Sequence, residues 1–146
     1  RYHYRVSATN AGGMSPYSSV LEVTTLSAYA AWRGFHLIDP DATDASDHDG
    51  NGIPLLAEYA LGITPGDPTG EGLPVLMLGG DELRLTYRRL RADVAYVVES
   101  STDGLTNWSA TEVVQEAQTS GDMVTASVPI GSDGRRFLRL ALQRLP

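Results

Sequence analysis

Residues 47 to 58 read Asp-His-Asp-Gly-Asn-Gly-Ile-Pro-Leu-Leu-Ala-Glu. Side-chain oxygens recur at every second position, on Asp47, Asp49 and Asn51. Gly52 follows where a chain wrapped around a small centre must turn sharply, and Glu58 stands where one carboxylate can offer two oxygens at once. Ca²⁺ is a hard cation that takes about six to eight oxygens, so alternating oxygen donors on a tight, glycine-punctuated turn match its demand. The predicted ligands are the side chains of Asp47, Asp49, Asn51 and Glu58 and the backbone carbonyl of Ile53. Leu55, at the ninth position of the loop, carries no side-chain oxygen, so water is expected there. Asp39, Asp41 and Asp44, just upstream, are candidates to complete the shell or to hold a second ion. The competing reading is an acidic, solvated turn without metal. A calcium ion here has two possible uses, to pin the fold or to touch a ligand, and the structural use is the commoner one in secreted modules.

The charge distribution sharpens the point. The chain of 146 residues carries a net charge of −7. Residues 1–26 and 74–146 are close to neutral, whereas residues 27–73 set Arg33 against eight carboxylates. Without a cation those carboxylates repel one another, so calcium is expected to matter to folding. There is no basic stripe of the kind that binds nucleic acid, and no apolar run long enough to span a membrane. Cysteine is absent, which excludes disulfides.

Three segments follow from periodicity and punctuation. In residues 1–26, Tyr2, Tyr4, Val6 and Ala8 alternate with polar residues as in a half-buried strand. The turn Asn10-Ala11-Gly12-Gly13 leads to a second strand over 21–25. In residues 27–73, Ser27 is a candidate N-cap for a helix to about Leu37 with Ala28, Trp32 and Phe35 on its apolar stripe. The acidic loop comes next, then a short helix over 54–61 with Pro54 in its first turn and Gly62 as its stop, then a Pro/Gly-rich linker over 64–70. Residues 74–146 read as short alternating strands near 74–79, 82–90, 94–101, 111–117, 122–130 and 136–144. The turns between them are Gly79-Gly80-Asp81, Asp103-Gly104, Ser120-Gly121-Asp122 and Ser132-Asp133-Gly134. Core candidates are Leu83, Leu85, Tyr87, Val94, Tyr96, Val98, Val113, Val124, Val128, Leu138, Leu140 and Leu142. The predicted fold class is mainly β: a small antiparallel β-sandwich preceded by helix, calcium loop and helix. A domain of this size is marginal for a core of its own, so packing against the helical segment is expected.

Three resemblances add to this. The run Tyr2-x-Tyr4-Arg5-Val6-x-Ala8-x-Asn10-x-x-Gly13-x-Ser15-x-x-Ser18 resembles the last two strands, F and G, of a fibronectin type III domain. That likeness implies that residues 1–26 are a two-strand remnant, with Tyr2 at the tyrosine corner and the earlier strands supplied by upstream chain or a neighbouring subunit. The loop itself resembles the EF-hand type, standing alone in the manner of dockerin or thrombospondin type 3 calcium loops. Residues 28–146 resemble a C-terminal module of large secreted bacterial proteins. The motifs are 47–62, Leu85-Thr86-Tyr87-Arg88-Arg89, Val98-Glu99-Ser100-Ser101-Thr102-Asp103 with Trp108, and Arg135-Arg136-Phe137-Leu138-Arg139-Leu140. This last likeness implies a secreted or cell-surface location and a place beside catalytic or adhesive domains.

Exposed aromatics stack on sugars, which makes Trp108, Tyr87 and Tyr96 candidates for a polysaccharide platform, with Trp32 and Tyr29 behind them. The alternative for Tyr87 and Tyr96 is the core, because they fall in phase with Leu and Val neighbours. Arg88, Arg89 and Arg91 suit anionic glycans. The favoured reading places Arg84, Arg88 and Arg139 on a solvated sheet face opposite Glu99 and Glu116. His3, His36 and His48 are scattered, and no nucleophile elbow, phosphate loop or zinc spacing occurs, so no enzyme activity is expected. The expected function is a non-catalytic, calcium-stabilised extracellular accessory module for polysaccharide or surface attachment. The alternative is a structural spacer or assembly subunit whose 1–26 strands complete a neighbour's sheet; a sorting or secretion signal is a third possibility.

Overall fold

A computed structural model describes residues 1–104, 106–116, 121, 123–132 and 134–146. The ends of two expected strands, at 117 and 122, and parts of the turns at 120–122 and 132–134 lie outside the described residues.

The N-terminal segment forms four short pieces, β1 (Tyr2–Tyr4), β2 (Thr9–Asn10), β3 (Gly13–Met14) and β4 (Leu21–Val23). They pair antiparallel as β1 with β4 and β2 with β3. Between the two ladders, the hydroxyls of Ser18 and Ser15 accept from the amides of Val6 and Ala8 at 3.0 and 2.9 Å. The amides of the same serines donate back to the Val6 and Ala8 carbonyls. These side chains carry the hairpin across a stretch where the ladder is interrupted. The expected half-buried face is not found, because Tyr2, Tyr4 and Val6 are all more than half exposed. A two-stranded ribbon has no second layer of its own to cover them.

Helix α1 (Ala28–Phe35) begins where Ser27 Oγ accepts from the Ala30 amide, as an N-cap should. Its inward face is rotated from the expected stripe. Tyr29 is buried and Trp32, Arg33 and His36 are half-buried, whereas Ala28 and Phe35 are exposed, Phe35 to 82%. The helix also stops earlier than Leu37. Leu37 takes φ 55°, its amide donates to the Gly34 carbonyl, and the Ile38 amide donates to the Arg33 carbonyl. This is a Schellman stop with leucine in the left-handed position that glycine usually fills. Leu37 is exposed, so Leu37→Gly removes strain without loss of packing. It is expected to stabilise the fold by about 0.5–1 kcal/mol, read as a higher midpoint in thermal unfolding.

Helix α2 (Leu55–Leu61) is almost wholly buried and ends at Gly62, φ 74°. Pro54 at its start gives no side-chain cap. Instead the Leu55 and Leu56 amides donate to the backbone carbonyls of Ser46 and Asp44 at 2.9 and 3.0 Å. The loop thereby caps the helix, and the helix holds both ends of the loop.

The rest is antiparallel β-structure. Strands β5 (Val75–Gly79), β6 (Glu82–Arg88), β8 (Val114–Gln115) and β9 (Met123–Pro129) form one sheet in the order β5-β6-β9-β8. Strands β7 (Val94–Ser101) and β10 (Phe137–Arg144) form another. The turn between β5 and β6 places Gly80, φ 64°, at the first central position, as a type II′ hairpin requires. One apolar cluster joins both sheets and α2: Leu56, Tyr59, Ala60 and Leu61 meet Leu85, Tyr87, Val94, Tyr96, Val98, Val124 and Ala126. The expected core positions Leu85, Tyr87, Val94, Tyr96, Val98, Val124 and Val128 are buried; Leu83, Val113, Leu138, Leu140 and Leu142 are half-buried at its margin. Polar bonds lock α2 to the β6–β7 connection: Tyr59 Oη donates to Asp93, Tyr96 Oη to the Ala60 carbonyl, and Arg91 Nε to the Tyr59 carbonyl.

Strand β7 pairs with β10 along its length, and on its other edge Ser100 makes an isolated antiparallel bridge with Ser109. Further along that edge the side chain of Gln115 takes the place of a strand. Its Oε1 accepts from the Val98 amide at 3.2 Å, and its Nε2 donates to the Tyr96 carbonyl at 3.3 Å and to Tyr87 Oη at 2.8 Å. Gln115→Ala is expected to cost about 1–2 kcal/mol by urea unfolding, and Gln115→Leu to restore little of it, because the backbone groups stay unpaired. Full recovery in the leucine variant would show that the side chain acts through volume rather than hydrogen bonding.

Candidate metal centre

The loop carries Asp47, Asp49 and Asn51, and the first turns of α2 carry Glu58; of the four side chains, Asn51 touches both Asp49 and Glu58. Asp47 Oδ1 accepts from the amides of Gly50 and Asn51 at 2.9 and 3.2 Å, and its Oδ2 accepts from the Gly52 amide at 2.9 Å. Gly50 and Gly52 hold φ 78° and 83°, which lets successive amides turn inward toward one carboxylate. Asp49 accepts from the Asn51 amide and Nδ2, and from the Gly66 amide across the loop. Slight burial opposes its ionisation, but the Gly66 and Asn51 amides hold its carboxyl below the usual carboxylate range. Asn51 Oδ1 accepts from the Ile53 amide at 2.7 Å, and its Nδ2 donates to Glu58 Oε1 at 3.2 Å.

Glu58 is the unusual member. It is 0% exposed, and its Oε2 has no hydrogen-bond partner. Burial, and then the charges of Asp49 and Asp47, push its carboxyl up, while the Asn51 hydrogen bond works the other way. A buried carboxylate with an unmatched oxygen, in the electrostatic field of two more carboxylates, is costly unless a cation or proton joins it. The donor set fits Ca²⁺: hard oxygens, three carboxylates, and an amide that can turn its oxygen inward. Among the described residues no three acidic or histidine side chains already converge on one point. The loop carboxylates turn instead to backbone amides. Gly66 brings the 64–70 linker over the loop, and Asp49, Gly50, Asn51, Gly66, Asp67 and Pro68 line a cleft of about 260 Å³.

The upstream acidic candidates have other partners. Asp44 is ion-paired with Arg144 at 2.7 Å, which ties the loop to the last strand. Asp39 accepts from the Asp41 amide in a local turn, and its carbonyl accepts from Arg33. Asp41 is exposed, and its amide donates to Asp39.

The aromatic candidates divide. Tyr87 and Tyr96 stack on each other at 5.8 Å inside the core and offer no face to a sugar. Trp108 is half-buried, and one face lies under the Arg139 guanidinium at 4.4 Å. Arg139 in turn pairs with Glu99, its expected neighbour across the ladder, at 2.7 Å. Tyr29 and Trp32 pack with Tyr59 in an aromatic cluster between the helices. A cavity of about 530 Å³ lies away from the loop between Tyr29, Tyr59, Arg91, Asp93 and Arg144. Its charged groups already pair with protein partners. Sequence reading missed Arg144, Gly66 and Asp93, because each meets its partner only through the tertiary fold.

The chain matches no protein-family model, no curated protein and no solved structure.

Proposed function

We propose that this chain is a calcium-stabilised accessory region of a secreted protein, with Asp47, Asp49, Asn51, the Ile53 carbonyl and Glu58 as ligands. Glu58 carries the reading: it is fully buried, has one unmatched oxygen, and accepts from Asn51 of the loop on the other. The ion's role is structural. α2 holds Glu58 rigidly in the shared core, so a cation that neutralises the loop also fastens the two helices to the sheets. On this reading residues 74–146 form a β-sandwich and residues 1–26 the closing strands of a fibronectin type III unit. The sandwich is supported by two antiparallel sheets sharing one core cluster. The fibronectin reading is supported by the serine-bridged antiparallel hairpin.

Calorimetric titration of chelator-treated protein with Ca²⁺ tests the metal. One saturable site with a dissociation constant in the range of about 10⁻⁴–10⁻³ M is expected, as in extracellular calcium modules. Absence of binding heat together with unchanged melting in chelator would remove the reading. Attachment to polysaccharide then rests on Trp108 alone among the three leading aromatics. A glycan array probed with wild type and Trp108→Ala checks it, and binding unaffected by the substitution counts against that ring as the platform.

A further inference from the structure

Among the described residues strand β5 has an open edge, and both its faces are largely exposed. Val75, Leu76, Met77 and Leu78 are each more than half exposed, although Leu76 and Leu78 stand opposite Leu85 and Leu83 in the ladder with β6. Hydrogen-bond parity shows which backbone groups face outward. The Ile130 amide donates to the Asp81 carbonyl, so the odd residues of β6 turn toward β9 and the even ones toward β5. Val75, Met77 and Gly79 therefore bond to β6. Leu76 and Leu78 point their N–H and C=O groups away from the sheet, with no partner among the described residues. An uncharged, unpaired edge of this kind invites another strand.

We infer that this edge pairs antiparallel with β5 of a second copy of this chain, about a two-fold axis at Met77. The register is self-complementary. Leu76 falls opposite Leu78 of the second copy, and the reverse, so both sets of outward-facing groups exchange bonds. Val75 falls opposite Gly79, and Asp81 opposite Leu73, so no like charges meet. A strand apolar on both faces needs a partner apolar on both faces, and β5 supplies its own. The result is an isologous dimer with a continuous sheet across the axis. The inference does not depend on the calcium reading.

Met77 would meet its own copy as a non-hydrogen-bonded pair, with Cα atoms about 4.5 Å apart, inside the range a disulfide spans. The chain has no cysteine, so a single Met77→Cys substitution in the full chain reports on this geometry alone. Under mild oxidation Met77→Cys is expected to form a covalent dimer more than about tenfold faster than Val75→Cys, whose copies would lie about 13 Å apart. In sedimentation velocity the wild type is expected to dimerise. Met77→Lys should sediment as monomer, and mixing it with Met77→Glu should restore a dimer. Val23→Lys, in the N-terminal hairpin, should leave the dimer intact. A wild type that stays monomeric up to about 100 μM, a dimer that survives Met77→Lys, or equal cross-linking at the two positions overturns the inference.

Discussion

Glu58→Gln is expected to move stability in opposite directions with and without calcium. In chelator the substitution removes a buried negative charge beside Asp47 and Asp49 while keeping the shape of the side chain. The melting temperature should rise, by the equivalent of about 1 kcal/mol or more. In about 10 mM calcium the wild type should gain roughly 1.4–2.7 kcal/mol from ligation, given a dissociation constant of about 10⁻⁴–10⁻³ M. The glutamine variant loses most of that gain, because an amide cannot replace a bidentate carboxylate. Asp47→Ala behaves differently. It removes a ligand and also the acceptor for the amides of Gly50, Asn51 and Gly52, so it should destabilise in both conditions. Thermal unfolding of the three proteins in calcium and in chelator separates these outcomes. Equal wild-type melting in both conditions would contradict the proposed role of the acidic segment.

Tyr59→Ala should be the most damaging single substitution away from the loop. The Tyr59 ring packs against Tyr29 and Trp32 at 4.9 and 5.4 Å, the Arg91 guanidinium lies over it at 4.4 Å, and its hydroxyl donates to Asp93. Burial, followed by the hydrogen bond to the Asp93 carboxylate and its charge, pushes that hydroxyl up to about 12. Loss of the ring leaves a cavity where α1, α2 and the β6–β7 connection meet, at an expected cost of about 3–5 kcal/mol. Tyr59→Phe keeps the ring and loses only the hydroxyl, for about 1–2 kcal/mol. Urea unfolding in calcium measures both. A cost below about 1 kcal/mol for the alanine variant would mean that α2 is not the joint between the helical segment and the sheets.

Much of the fold was legible locally. The alternation of Val94, Tyr96 and Val98 marks β7 and its inward face, and the observed strand spans the expected residues. Ser27 and Gly62 mark helix ends because capping is a short-range bond or a single backbone angle. The loop residues 47, 49, 51 and 58 were legible for the same reason, since a turn with alternating oxygens is written in consecutive positions.

Other features depended on which surfaces meet. The period of α1 defines candidate faces, but packing on Tyr59 selected the one with Tyr29 and left Phe35 in solvent. The apolar run of β5 reads as a strand, yet only the placement of its neighbours leaves both its faces open. Asp44 sits among the acidic candidates in sequence and is claimed instead by Arg144, one hundred positions away. Glu58 combines the two levels. Its position twelve in the loop is a property of the sequence alone. Its complete burial, which makes an unmatched oxygen so costly, came from the sheets that close over α2, because desolvation is set by everything that surrounds a group rather than by its neighbours along the chain.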